Sequence, residues 1–198
     1  RELGKPVQAL ITSMDAPLGR AVGNALEVWE SVECLKGRGP DDLMEVSLEL
    51  AAEMLILGGV AATRDEALVK CRRSIADGSA LERFRRVVVA QGGDGRVCDD
   101  PLGVLPKAAH VEPFRAAKSG FIAGIRAWPV GQASMLLGAG RARADSAIDP
   151  AAGIVFQKTV GDEVREGEVI AEIHVNPPHA AALPEALAML AGATTIAA

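Results

Sequence analysis

Glu27, Glu30 and Glu33 recur every third residue just after a run broken by Pro17, Gly19 and Gly23. Three acids at that spacing share one helix face, and the ordinary role of such a face is to meet water. Glu30 differs because it follows Trp29 in a segment whose other side is apolar. Proline and glycine upstream interrupt a helix ladder, which leaves backbone carbonyls free to turn elsewhere. A carboxylate beside such carbonyls is an all-oxygen donor set, the kind that hard cations take. No nucleophile–base set accompanies it. His110, His174 and His179 are scattered, and a histidine acts as acid or base only when a partner positions it. Cys34, Cys71 and Cys98 form no CxxC pair and no metal-spaced set with histidine. The tetrapeptide Gly138–Arg141, GAGR, allows an anion nest, but its plainer reading is a tight turn.

The elements that must position these residues follow from periodicity. Val7–Thr12, VQALIT, is a short apolar run after Gly4-Lys5-Pro6 and reads as a buried strand. RELGKP before it reads as a helix end and a turn, so that an α/β layer is expected. Leu18, Val22, Ala25, Trp29, Val32 and Leu35 follow at helical steps, stopped by Gly37. Asp42 with Glu45, Thr63 with Glu66, and Ser79 with Glu82 each fit a capping box. Residues 20–91 therefore read as four consecutive helices. From residue 92 to 110 the chain is rich in Gly, Pro and Asp and reads as a linker or long loop. Beyond Lys118 come short apolar segments punctuated by glycine: GFIAGIRAW, GIVFQKTV and VIAEIHV, read as strands. A short helix is expected at Gln132–Leu137 and a last one at Pro184–Leu190, with a frayed AGATTIAA after it. The rhythm of VGDEVREGEVIAEI resembles the hairpins of lipoyl- and biotinyl-type barrel-sandwich domains. Lys158 falls in a strand, not at a hairpin tip, so no carrier lysine is expected.

The expected fold class is α/β. Residues 1–97 form the C-terminal part of a large α/β domain, a strand plus four helices, residues 98–117 a linker, and residues 118–198 an α+β barrel-sandwich-like domain. The 198 residues are 49% hydrophobic and 24% charged, a globular balance. A net charge of −5 and only 3% aromatics oppose a nucleic-acid surface. No run approaches the ~18 apolar residues of a membrane span. Unpaired, scattered cysteines suit a reducing cytoplasm.

Several long blocks in order carry a resemblance. ALITSMDAPLGRAVGNALEVWESVECLKGRGPDDL, AQGGD, SGFIAGI, LLGAGR and IDPAAGIVFQKTVGD resemble the thymidine phosphorylase and pyrimidine nucleoside phosphorylase family from about Ala9 to Val175. The resemblance implies a pentosyltransferase, converting pyrimidine nucleoside and phosphate to base and pentose 1-phosphate, in a homodimer whose small helical domain closes on an α/β domain. It implies no organic cofactor and phosphate as co-substrate. It further implies a potassium-type cation held by the carbonyls of Leu18 and Ala21 and the carboxylate of Glu30. The family's Lys-His-Ser-Thr-Gly-Gly phosphate loop, and its Arg, Ser and Lys that grip the base, have no counterpart here. The resemblance is thus to a C-terminal half, so no catalytic residue is assigned. The chain alone is expected to be inert and to self-associate through its exposed strand edge. The alternative expectation is a non-catalytic assembly module built on the barrel-sandwich-like end.

Overall fold

A backbone can cross another at van der Waals distance only where both lack side chains, and Gly23 and Gly153 make such a crossing. A Cβ on Gly23 would lie 2.4 Å from the Ala152 carbonyl oxygen, and one on Gly153 would lie 2.2 Å from that of Val22. Both have positive φ, +139° and +154°, where a side chain is also strained. In this computed structural model, which describes residues 4–141 and 143–198, that crossing joins β1 (Ala21–Val22) to β4 (Gly153–Phe156). The protein is mixed α/β, its helices accompanied by antiparallel sheets.

The chain divides into two compact units, residues 14–30 with 100–198, and residues 1–13 with 31–99. The first holds both sheets. β1, β4, β6 (Val169–Val175) and β2 (His110–Arg115) lie side by side in that order, and β5 (Glu163–Val164), β3 (Gly120–Ile125) and β7 (Thr194–Ala197) form the second sheet. Helices α5 (Pro101–Val104), α6 (Ala127–Ser134) and α7 (Leu183–Ala193) belong to the same unit. Its core gathers Ile122 and Ile125 from β3, Ile154 and Phe156 from β4, and Ile170 and Ile173 from β6. β-Branched residues dominate it, as a pleated surface favours.

The second unit is helical. α1 (Asn24–Leu35) contributes its last turn, followed by α2 (Asp41–Leu57), α3 (Arg64–Ala76) and α4 (Ser79–Ala90). These match the four expected helices, except that the first starts only at Asn24: Leu18 lies in a bend and Val22 in β1, because the chain turns through Gly19 and pairs with β4 before the helix begins. Its tightest cluster is small, Ala52, Ala61, Ala67 and Leu68, and α4 buries no residue. A 360 Å³ apolar cavity lies among Leu35, Leu48, Cys71, Ile75 and Phe84.

Of the capping boxes, one forms. Thr63 accepts the Glu66 amide at 3.3 Å, and the Glu66 carboxylate reaches back to the Ala62 amide at 2.9 Å. Asp42 lies inside α2, which is led by Pro40, because proline lacks the amide that a first turn leaves unpaired. Ser79 is likewise inside α4, where Gly78 at φ +77° precedes the helix.

The expected strand Val7–Thr12 is not formed. The segment is exposed throughout, and both sheets recruit other strands. A strand exists only through its neighbours, and none of the described residues pairs with this one. The helix end expected over RELGKP falls partly outside the described residues; Gly4–Pro6 are exposed and irregular.

Residues 110–115, read as linker, form β2 against β6. Pro113 disguised them, but β2 is an edge strand, where a missing amide faces no partner. The expected frayed end forms β7, whose Thr194, Thr195 and Ile196 suit a strand. Lys158 lies in a bend after β4, not in a strand, with its Nζ 2.9 Å from Glu168.

The glycine crossing makes a test. Gly23→Ala or Gly153→Ala is expected to destabilise the chain by about 3 kcal/mol or more, as backbone must move in either case. Gly161→Ala, at φ +95° with open space around it, is expected to cost about 1 kcal/mol. Urea unfolding of the three variants measures the contrast.

Candidate functional site

The run Asp15–Gly19 turns, with Gly19 at φ +72°, before entering β1. The three spaced glutamates then meet different fates. Glu30 is only 6% exposed. Its Oε1 accepts the amide of Arg20 at 2.8 Å and that of Ala21 at 3.2 Å. Glu27 accepts the Gly23 amide at 2.9 Å, holding the residue that leads α1. Glu33, the member with the expected surface role, pairs with Arg38 at 2.8 Å. That hydrogen bond holds the Glu33 carboxyl below its usual range.

Two carboxylates thus fold the turn and β1 back on the first turns of α1. Register explains how Ala21 takes part. Phe156 donates to the Arg20 carbonyl at 2.8 Å, and β1 lies against β4 with Ala21 opposite Val155 and Val22 opposite Ile154. The Arg20 and Ala21 amides both meet the Glu30 carboxylate beside that pairing. Ala21 and Glu30 are brought together directly, and Leu18 stands two residues before Arg20 in the same turn, half exposed. One carboxylate with two carbonyls is an oxygen-only set of low total charge. It fits a weakly charged hard cation, not a thiophilic metal. Among the described residues, no three His, Cys, Asp or Glu side chains gather to hold a metal.

The surroundings involve residues that spacing did not single out. Asp149 accepts the Ala151 amide at 3.0 Å and the Asn176 side-chain amide at 2.7 Å. Pro150 accepts the Ala25 amide at 2.9 Å, and Asn24 donates to the Ala139 carbonyl at 2.8 Å. The loop over 138–150 is thereby tied to the start of α1. The only sequence signal for it was the Asp-Pro turn in IDPAAG. GAGR is a turn: Gly138 has φ +104°, its carbonyl accepts the Asp149 amide, and a Cβ there would lie 2.7 Å from the His179 ring.

The histidines assemble no site. His110 is exposed beside Glu112. His174 lines a 220 Å³ cavity with Leu26, Trp29, Leu105 and Val111. Its Nε2 is buried and has no hydrogen-bond partner among the described residues. Burial lowers its pKa, against a smaller upward pull from Glu172. No disulfide joins Cys34, Cys71 and Cys98, and burial pushes the thiols of Cys71 and Cys98 upward.

Two predictions follow from this geometry. Glu30→Ala leaves two amides without their charged acceptor, and is expected to cost about 2–3 kcal/mol; Glu30→Gln, which keeps an acceptor oxygen, is expected to cost about 1 kcal/mol. Chemical denaturation distinguishes them. For His174, the unfolded chain binds a proton before the folded one as pH falls. Stability is therefore expected to decline below about pH 6.5, and to level off beneath the lowered folded pKa. Melting temperatures at pH 7.5 and 5.5 should diverge in the native chain and converge in His174→Phe.

Comparison with known proteins adds identity to this geometry. The family model described as the pyrimidine nucleoside phosphorylase C-terminal domain matches residues 121–197. The pyrimidine-nucleoside phosphorylase of Geobacillus stearothermophilus is 44% identical over 174 residues, which are 88% of this chain and 40% of that protein. The protein of the same name from Staphylococcus aureus strain NCTC 8325 / PS 47 matches to the same extent. The chain spans 40% of the length of these curated relatives. Among the described residues, no helix is long and apolar enough to cross a membrane. By this continuous similarity the chain belongs to the pyrimidine nucleoside phosphorylase family.

Proposed function

We propose that this chain acts as the C-terminal portion of a pyrimidine nucleoside phosphorylase, a pentosyltransferase of nucleoside salvage. The observation that carries this reading is the 44% identity over 88% of the chain to proteins named for that activity. In the reaction a phosphate oxygen bonds to the anomeric carbon of a pyrimidine nucleoside. The glycosidic bond breaks, its electron pair leaves with the base, and a proton on the base completes the products, free base and pentose 1-phosphate.

In this reading the chain's own residues supply one support to that chemistry. The carbonyls of Leu18 and Ala21 and the carboxylate of Glu30 hold a potassium-type cation. The ion, when bound, supplies positive charge beside the phosphate. Glu30 keeps the Arg20 and Ala21 amides in place, and Glu27 keeps Gly23 in place, so the turn retains its shape. Burial of Glu30 supports this role, because a carboxylate in low dielectric attracts a cation more strongly than one in water. No organic cofactor enters the scheme.

The domain pattern proposed for this function is a partial phosphorylase domain over 1–97 and the C-terminal domain over 118–198. The complete enzyme is proposed to be a cytoplasmic homodimer, a setting that three cysteines outside any disulfide suit. The phosphate loop and the base-gripping residues have no counterpart in this sequence, so turnover requires polypeptide that supplies them.

The test is phosphate-dependent release of thymine from thymidine and uracil from uridine. The chain alone is expected to release neither. The chain joined to the remaining 60% or so of a relative is expected to release at least one, at a rate that falls at least tenfold in Glu30→Ala. Turnover by the chain alone would overturn the assignment of the missing groups.

A further inference from the structure

The three histidines gather nowhere, but His174 by itself lines a cavity of 220 Å³. It lies on β6 between Ile173 and Val175, both buried in the core. Alternation along the strand turns it to the opposite face of the sheet, where its neighbours across the ladder are Val111 on β2 and Gly153 on β4. The cavity is built on that face. Leu26 and Trp29, three residues apart on one side of α1, form one wall, and Leu105 and Ala108, from the segment after α5, form another. Every lining residue belongs to the sheet-bearing unit, so that unit's own chain shapes the cavity.

The lining side chains are apolar apart from Trp29, Lys107 and His174. Lys107 is exposed, and its ammonium keeps its water. The Nε2 of His174 is buried and has no hydrogen-bond partner among the described residues. A buried polar atom left unpaired is costly, and the remedy is a group that brings one hydrogen bond and is otherwise carbon. Water is a poor remedy, because in a cavity it needs about two to four polar partners.

The shape and chemistry of the space narrow the ligand. An imidazole nitrogen donates or accepts according to its tautomer, and a hydroxyl does both, so a hydroxyl fits either form. A cavity of about 150 Å³ with aliphatic and aromatic walls holds benzene, so 220 Å³ admits one ring with a small substituent. Trp29 offers that ring an aromatic partner. A pyrimidine base fits badly: it carries polar atoms around most of its ring, and this lining would leave most of them unpaired.

We propose that this cavity is a binding site for a small monocyclic phenol, with the ring among Leu26, Trp29 and Val111 and the hydroxyl on His174 Nε2. The site uses none of the residues of the oxygen set at Glu30, and it stands whether or not the chain serves a phosphorylase.

The test titrates phenol and toluene into this chain, with affinity measured by calorimetry and the ring-nitrogen signals of the histidines followed by NMR. Phenol is expected to bind with a Kd of about 1 mM or tighter. It should move the His174 signal and leave those of His110 and His179. His174→Leu removes the nitrogen and keeps comparable bulk, so the preference for phenol over toluene is expected to fall about tenfold. Ala108→Phe fills the cavity with His174 in place and should abolish binding of both probes. The chain joined to the unmatched portion of the Geobacillus stearothermophilus protein should bind phenol with unchanged affinity. An unmoved His174 signal in the native chain would overturn the proposal, as would a phenol-to-toluene ratio indifferent to His174→Leu, or binding that survives Ala108→Phe. Loss of binding in the joined protein would overturn it as well, since polypeptide would then be what fills the cavity. If either variant fails to fold, the native chain and the joined protein still decide.

Discussion

The close passage of Gly23 against Gly153 is the constraint on which the sheet-bearing unit is built. Neither backbone tolerates a Cβ there, so β1 enters the sheet at a fixed point and angle. That contact determines which groups of β1 pair with β4 and which face α1. Everything proposed for the oxygen set depends on it: the Arg20 and Ala21 amides reach Glu30 while β1 is held against β4.

The carboxylates show how one residue type serves three roles within two helical turns. Glu33 sits at the surface, where its ion pair is screened and worth little. Glu27 satisfies an amide at the head of the helix. Glu30 is buried, and a buried anion must be compensated. Two amides at one oxygen provide part of that compensation without any cation. The turn therefore has a shape of its own, held by those two amides. Asp149 and Asn176 extend the same economy of parts to the loop beside it.

Much of this was legible in the residues. Apolar steps marked the first helix, and glycine stops bounded the other three. The capping boxes fared less well: Thr63 caps α3, but Pro40 and Gly78 displaced Asp42 and Ser79. A backbone preference one or two residues upstream outcompeted a side-chain hydrogen bond. β2 escaped because Pro113 looks like a breaker until its edge position is known, and β7 because Ala and Thr look like fraying until β3 is beside them. Val7–Thr12 failed in the opposite sense: its composition is that of a strand, and pairing is a property of neighbours, not of composition. Within the candidate site, Glu30 was distinguished by its place after Trp29, but its two amide partners lie ten and nine residues upstream and leave no periodic trace.

The pairing of Ala21 with Val155 also sets an order of events during folding. α2, α3 and α4 lie within that span and are made of local contacts, so they can form as soon as they exist. β1 cannot: its partner strand arrives only after nearly the whole helical unit has been synthesised. Loop-closure entropy grows only logarithmically with length, so the long connection costs the finished protein little. Its burden is kinetic. Until β4 emerges, the first turns of α1 and the strand before them wait as an unclosed end, and β6, which seals the other edge of β4, comes later still.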